Sequence, residues 1–163
     1  MEEVRTINFR IIGYIRTPFS ERKGTPIQSC YSKAEGYIEI FTEYIGGLDD
    51  LEEFSHLYLI YHFHQSKGVK LKVIPFLDKK ERGVFSTRAP LRPNPIGISI
   101  VELLSINLSE NILKIRGVDM LDSTPLLDIK PYVPLFDQRD AKTGWISRSL
   151  QEIQEERTSD GRF

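Results

Sequence analysis

Short apolar runs alternate with polar, turn-forming stretches along this chain, the rhythm of β-strands more than of long helices. Residues 9–15 (FRIIGYI) predict a strand closed by the Thr17-Pro18 turn, and 36–41 (GYIEIF) a second. A short helical stretch follows near Leu48–Phe54. Residues 56–64 (HLYLIYHFH) are apolar and aromatic throughout, which predicts a strand buried on both faces. Further strands are expected at 71–75, 83–87, 97–106, 111–118 and 126–133, with Asn107–Glu110 turning 97–118 into a hairpin. Many strands with few helices predict a mainly β fold, a small antiparallel β-barrel or sandwich with short peripheral helices. One domain is expected over 1–140, and a tail over 141–163 carries a charged, peripheral helix at 146–157. No Gly-x-Gly-x-x-Gly turn follows a strand, which argues against a Rossmann-type cofactor site.

The 163 residues suffice for one domain with a sizeable core. A formal net charge of −1 gives no overall attraction for nucleic acid, so any RNA contact needs a local basic patch. The densest basic run is Lys67, Lys70, Lys72, Lys79, Lys80 and Arg82, which reads equally as a solvated charged face. A single cysteine, Cys30, excludes an intrachain disulfide framework and multi-thiolate zinc, and nothing nearby would lower its pKa. The charged N-terminus lacks a signal-peptide core, and no apolar run approaches the roughly 20 residues that span a bilayer. A soluble cytoplasmic protein without membrane contact is expected.

Three segments could carry chemistry. In 83–97 (GVFSTRAPLRPNPIG), Pro90, Pro93 and Pro95 stiffen the backbone, and Arg92 and Asn94, each preceding proline, are kept out of helix. The result is a rigid exposed ribbon presenting Arg88, Arg92 and Asn94, although a stiff connector with solvated arginines has the same sequence. In 117–134, the turn Asp122-Ser123-Thr124-Pro125 could grip a polar ligand. After it, Asp128, Lys130 and Tyr132 share one face and either line a pocket or pair with each other. The third segment holds every histidine of the chain, His56, His62 and His64. An unbroken strand would face all three the same way, but His56 and His62 lie ~20 Å apart at ~3.3 Å per residue. Only His62 and His64 could share a metal, and a catalytic zinc usually needs a third protein ligand. No metal is expected. The polar loop 20–34, with Gly24-Thr25-Pro26-Ile27-Gln28, is long enough to fold over a pocket.

These stretches together resemble the TrmO (TsaA-like) family of tRNA N6-methyltransferases over residues 10–137. The resemblance rests on IGYIRTPF (12–19), GLDDLEEFSHLYLIYHFHQ (47–65), RGVFSTRAPLRPNPIG (82–97) and DSTPLLDIKPYVP (122–134). It implies a β-barrel methyltransferase, a homodimer, with S-adenosyl-L-methionine as donor. The implied acceptor is N6 of threonylcarbamoyladenosine beside the tRNA anticodon. Carried over by motif, the cofactor contacts are Pro26, Gln28, His64, Gln65, Arg88, Ile98, Asp122, Ser123, Thr124 and Pro125. Ile27 stands where the family commonly has arginine. Ser123 stands where it commonly has glycine, and serine disfavours a positive φ. Some bacterial members carry a C-terminal extension, so a core-only member is expected.

Methyl transfer from a sulfonium is an in-line displacement that needs positioning and desolvation more than a metal. By analogy with amide-proline pairs in other methyltransferases, Asn94 is the candidate for holding the acceptor nitrogen. Arg92, or Lys130, is the candidate for an acceptor carboxylate or phosphate, the guanidinium being the better fit. A non-enzymatic S-adenosylmethionine- or RNA-binding barrel, a different acceptor, and a His62/His64 metal hydrolase are the competing readings.

Overall fold

The computed structural model describes residues 5–152, apart from the side chains of 150–152. Its strands in chain order are β1 (Gly13–Arg16), β2 (Glu35–Ile40), β3 (His56–His62), β4 (Lys72–Val73), β5 (Arg82–Gly83), β6 (Ile96–Asn107), β7 (Ile112–Arg116) and β8 (Thr124–Pro131). Six of them close an antiparallel barrel in the order β1-β2-β7-β6-β3-β8, and β4 pairs with β5 in a separate small hairpin. Helices α1 (Pro134–Asp137) and α2 (Trp145–Glu152) follow the barrel. Residues 153–157 of the helix expected at 146–157 lie outside the described residues.

Alternation explains the closure. Inward positions carry Ile15, Ile38, Leu57, Leu59, Val101, Leu113, Ile115 and Leu126, all essentially inaccessible to water. Each such side chain contributes roughly 1.5–3 kcal/mol when fully buried. The β6–β7 hairpin forms as expected, with Asn111 in the left-handed region (φ 61°) just past the turn.

Several expectations are corrected. Segment 56–64 is not buried on both faces: Leu57, Leu59 and Tyr61 point inward, while His56 is exposed and Tyr58 and Ile60 are half-buried. A barrel strand has one outer face, and here that face happens to be apolar. The strand also ends at His62, so His64 lies beyond it. Strand β1 begins at Gly13, later than residue 9, and Ile7 and Phe9 are exposed. The stretch near 48–54 forms 3₁₀ turns at Thr42–Leu48 and Leu51–Glu53. Residues 83–87 leave strand geometry at once, because Thr87 bonds back to the Val84 carbonyl through both its N–H and its hydroxyl and closes a 3₁₀ turn.

One inward position is empty by necessity. Gly97 faces Tyr61 across the β3–β6 pairing, and a Cβ there would lie 2.2 and 2.5 Å from Tyr61 ring atoms and 2.9 Å from Phe63. The Tyr61 and Phe63 rings pack edge-to-face at 5.5 Å in the space the glycine leaves. Gly97→Ala is therefore expected to cost about 1–3 kcal/mol through overpacking, read as a lowered midpoint in urea unfolding. An unchanged midpoint would show that the rings yield freely.

Candidate active site

The proline-rich ribbon runs from β5 to β6 and is organised from within. Arg92 NH1 donates to three main-chain carbonyls, those of Val84 (3.0 Å), Thr87 (2.8 Å) and Ala89 (3.3 Å). Its guanidinium also lies 5.8 Å from the Phe85 ring centroid. The pre-proline residues avoid helix as expected: Arg92 N–H bonds to the Pro90 carbonyl (2.8 Å) and Ile96 N–H to that of Asn94 (2.7 Å). These i→i+2 contacts are the tightest turns a chain makes. Arg92 thus acts as a clasp that sets the ribbon's shape.

The early loop lies across from this ribbon. Arg88 NH1 donates to Gln28 Oε1 at 2.7 Å, over 60 residues of sequence, and Arg22 donates to the Gln65 carbonyl. Between loop, ribbon and the ends of β3 and β6 lies a cavity of about 720 Å³, within the roughly 300–1,000 Å³ that small-molecule sites occupy. Its wall takes Pro26, Gln28, His64, Gln65, Arg88, Arg92, Ile98 and Thr124 from among the expected residues. Burial, and to a lesser degree the neighbouring His62, holds His64 below the usual histidine range, so its imidazole is neutral at neutral pH.

The floor carries a group that sequence reasoning missed. Asp119 is the one carboxylate among the described residues lining the cavity. Its Oδ1 accepts the Ser99 hydroxyl at 2.6 Å, and Ser99 Oγ lies 2.9 Å from the Tyr61 hydroxyl. Because serine has a single proton and gives it to Asp119, Tyr61 must donate to Ser99. Burial pushes the Asp119 carboxyl up to about 7, against the opposing pull of the Ser99 bond, main-chain N–H groups and the Arg88 charge. Burial also raises the Tyr61 hydroxyl far above its usual range, with the Asp119 charge adding to the effect. No local motif marks Asp119; only the inward phase of Ser99 and Tyr61 on paired strands hints that a polar partner is needed.

The acidic turn serves the fold first. Asp122 Oδ1 accepts the Thr17 N–H (3.0 Å) and Oδ2 the Ser123 hydroxyl (3.0 Å), while Ser123 Oγ accepts from Arg16 NH1 (2.6 Å). Burial disfavours the Asp122 carboxylate, but those bonds and the Arg16 charge outweigh it and hold its pKa below the usual value. Ser123 adopts φ 63° after all. The left-handed region costs an L-residue about 1–2 kcal/mol, and the Arg16 and Asp122 bonds to its hydroxyl offset this.

Five expected residues lie outside the cavity wall, and a sixth, Arg92, lines it with one nitrogen already engaged. Asp122 and Ser123 are engaged in the turn, and Pro125 is buried in β8 opposite Tyr14. Asn94 is exposed and outside the cavity wall. Lys130 pairs with Asp128 at 2.9 Å on the barrel surface, outside the cavity. Arg92 reaches the wall but commits NH1 to the ribbon. Among the described residues no group of three histidines, cysteines or carboxylates could hold a metal ion.

A sequence model of the tRNA-methyltransferase O N-terminal domain (TrmO_N) matches residues 14–138. The chain belongs to this family. Among similar proteins, a probable S-adenosyl-L-methionine-binding protein of Pyrococcus abyssi is 52% identical over 159 residues, 96% of this chain and 85% of the relative. The tRNA (adenine(37)-N6)-methyltransferase of Escherichia coli is 38% identical over 141 residues, covering 81% of this chain and 60% of that one. The crystal structure of TrmO from Pseudomonas aeruginosa superposes with a TM-score of 0.71 at 38% identity, over 85% of this chain and 62% of the other. This TrmO-family chain therefore spans about three-fifths of the length of those two longer relatives.

The raised Asp119 pKa has a stability consequence. Between an ordinary value near 3.8 and about 7 the folded protein holds a proton that the unfolded chain has released, so stability falls as pH rises through this window. Asp119→Asn cannot ionise. Its stability relative to the parent is expected to improve steadily from pH 4 to pH 8 in urea melts. A pH-independent difference would contradict the assignment.

Proposed function

We propose that this chain methylates N6 of adenine 37 in tRNA, on a base carrying the threonylcarbamoyl group, with S-adenosyl-L-methionine as methyl donor. The observation that carries this reading is the cavity between ribbon and early loop, closed by the Arg88–Gln28 bond and floored by Asp119. Family membership and the names of the Escherichia coli and Pyrococcus abyssi relatives support it.

The donor set suits the cofactor. Arg88 offers a guanidinium for an amino-acid carboxylate, and Ile98 an apolar wall. Pro26, Gln28, His64, Gln65 and Thr124 complete the holding set. A neutral His64 adds no positive charge where a sulfonium must sit. When bound, S-adenosyl-L-methionine supplies a methyl group already attached to a good leaving group.

The chain's own residues then position and deprotonate. The acceptor N6 gains carbon and loses its hydrogen, and the carbamoyl substituent makes that hydrogen more acidic. Asp119, as the cavity's carboxylate, is placed to accept this proton, and a pKa near 7 matches a general base at neutral pH. Ser99 and Tyr61 hold its carboxyl in one orientation.

The working unit in this reading is a cytoplasmic homodimer. On the outer face of paired β3 and β6, Tyr58, Ile60, Ile96, Ile98 and Ile100 form an apolar stripe, with the last three 38%, 48% and 37% exposed. A stripe of this kind suits a second copy, and it continues into the cavity wall through Ile96 and Ile98. No helix among the described residues is long and apolar enough to cross a membrane.

Arg88→Ala is expected to weaken S-adenosyl-L-methionine binding about tenfold or more, as loss of a charged hydrogen bond implies, in calorimetric titration. The unaltered protein should add one methyl group to threonylcarbamoyladenosine in tRNA, read by nucleoside mass spectrometry. Cofactor binding with the nucleoside unchanged would assign another acceptor; absence of cofactor binding would remove the reading altogether.

A further inference from the structure

We propose that Phe85 and Trp145, at the mouth of the cavity, form a stacking site for the extruded acceptor base, fed by phosphate contacts along the β4–β5 hairpin. This rests on the tRNA reading above and adds the place where the base is held.

Both rings line the same cavity as Asp119 and Arg88. Phe85 is 76% exposed on the proline-stiffened ribbon. Trp145, on the first turn of α2, reaches back to the ribbon: its indole N–H donates to the Ser86 carbonyl at 2.9 Å, next to Phe85.

Each ring is braced by an arginine. The Arg92 guanidinium sits 5.8 Å from the Phe85 ring centroid, and that of Arg82 sits 5.4 Å from the Trp145 ring. Neither arginine is free to wander. Arg92 is clasped to three carbonyls, and Arg82 Nε is held at 2.7 Å by Asp78. Aromatic faces fixed in advance, at a mouth open to solvent, suit a flat π-system that arrives from outside. A base is such a system, and each base–aromatic stack contributes about 1–3 kcal/mol.

Charge identifies the base as part of a nucleic acid. Lys70 and Lys72, before and on β4, and Lys79 and Lys80, in the connection that leads to β5, are exposed. Arg82 opens β5 with its guanidinium against the Trp145 ring. The acids of the hairpin are Asp78, already paired with Arg82, and Glu81, so the segment is a local excess of cations on a chain of net charge −1. A strand laid along this hairpin would put its phosphates on the lysines and one splayed base against the two rings. The Arg88–Gln28 pair marks the part of the cavity that the cofactor reading occupies.

The probe is an anticodon stem-loop RNA with 2-aminopurine at the acceptor position, titrated with the unaltered protein and with Phe85→Ala, Phe85→Tyr, Trp145→Ala and Trp145→Phe. Stacking should quench the 2-aminopurine fluorescence on binding. Each alanine variant should lose most of the quenching and about five- to a hundredfold in RNA affinity, while the Tyr and Phe variants keep the quenching. S-adenosyl-L-methionine affinity should stay within about twofold in all four. Unaltered quenching and RNA affinity in the alanine variants would overturn the proposal. So would a parallel loss of cofactor affinity, which would give the rings to the cofactor. Quenching by a protein that binds no S-adenosyl-L-methionine would remove the methyltransferase reading and leave the stacking site standing.

Discussion

The hydrogen-bond chain from Tyr61 through Ser99 to Asp119 is the interaction on which the rest of the site depends. A carboxyl in the wall of a small barrel is costly to bury unless it is hydrogen-bonded, and here the partners come from two paired strands. The register that sets Leu59 opposite Ser99 and Tyr61 opposite Gly97 points all four residues inward. Gly97 leaves room for the Tyr61 ring, and the ring's hydroxyl then reaches Ser99. The end of the barrel where β6 begins is thereby polar inside, while the core cluster is built of apolar side chains. The cavity forms where that polarity begins.

A second theme is the use of arginine as a brace. Arg16 ties the 122–125 turn to β1 and β2 through Ser123 and Glu39, Arg92 gathers the ribbon's carbonyls, and Arg82 backs Trp145. A planar guanidinium with five donors does this better than lysine, since one side chain can satisfy several acceptors in fixed directions. The site is built from loops and ribbon that side-chain hydrogen bonds hold in place. Preorganisation of that kind is what a transfer reaction with a ready leaving group requires of its enzyme.

The barrel was legible because period-two alternation and the Asn107–Glu110 turn survive in the sequence. The ribbon was legible because three prolines constrain their neighbours wherever they sit. Residues 56–64 misled for a physical reason: an apolar outer face, available for a partner, looks like burial on both sides. Ser123 misled too. Backbone preference argued against φ 63°, but bonds to Arg16 and Asp122, remote or unreadable from propensity, override it. Asp119 was invisible because its role depends on the register of two strands far away in sequence. Lys130 and Asn94 looked exposed and chemical, and that they are; the topology simply turns them away from the cavity.

The most direct test is to follow the Asp119 carboxyl carbon by NMR in protein labelled at aspartate, between pH 3 and pH 9, with Asp119→Asn to assign the signal. A buried carboxyl bonded to Ser99 predicts titration near pH 7. Titration near 4, in the range of an ordinary aspartate, would show the group to be solvated and would contradict the account of the cavity floor.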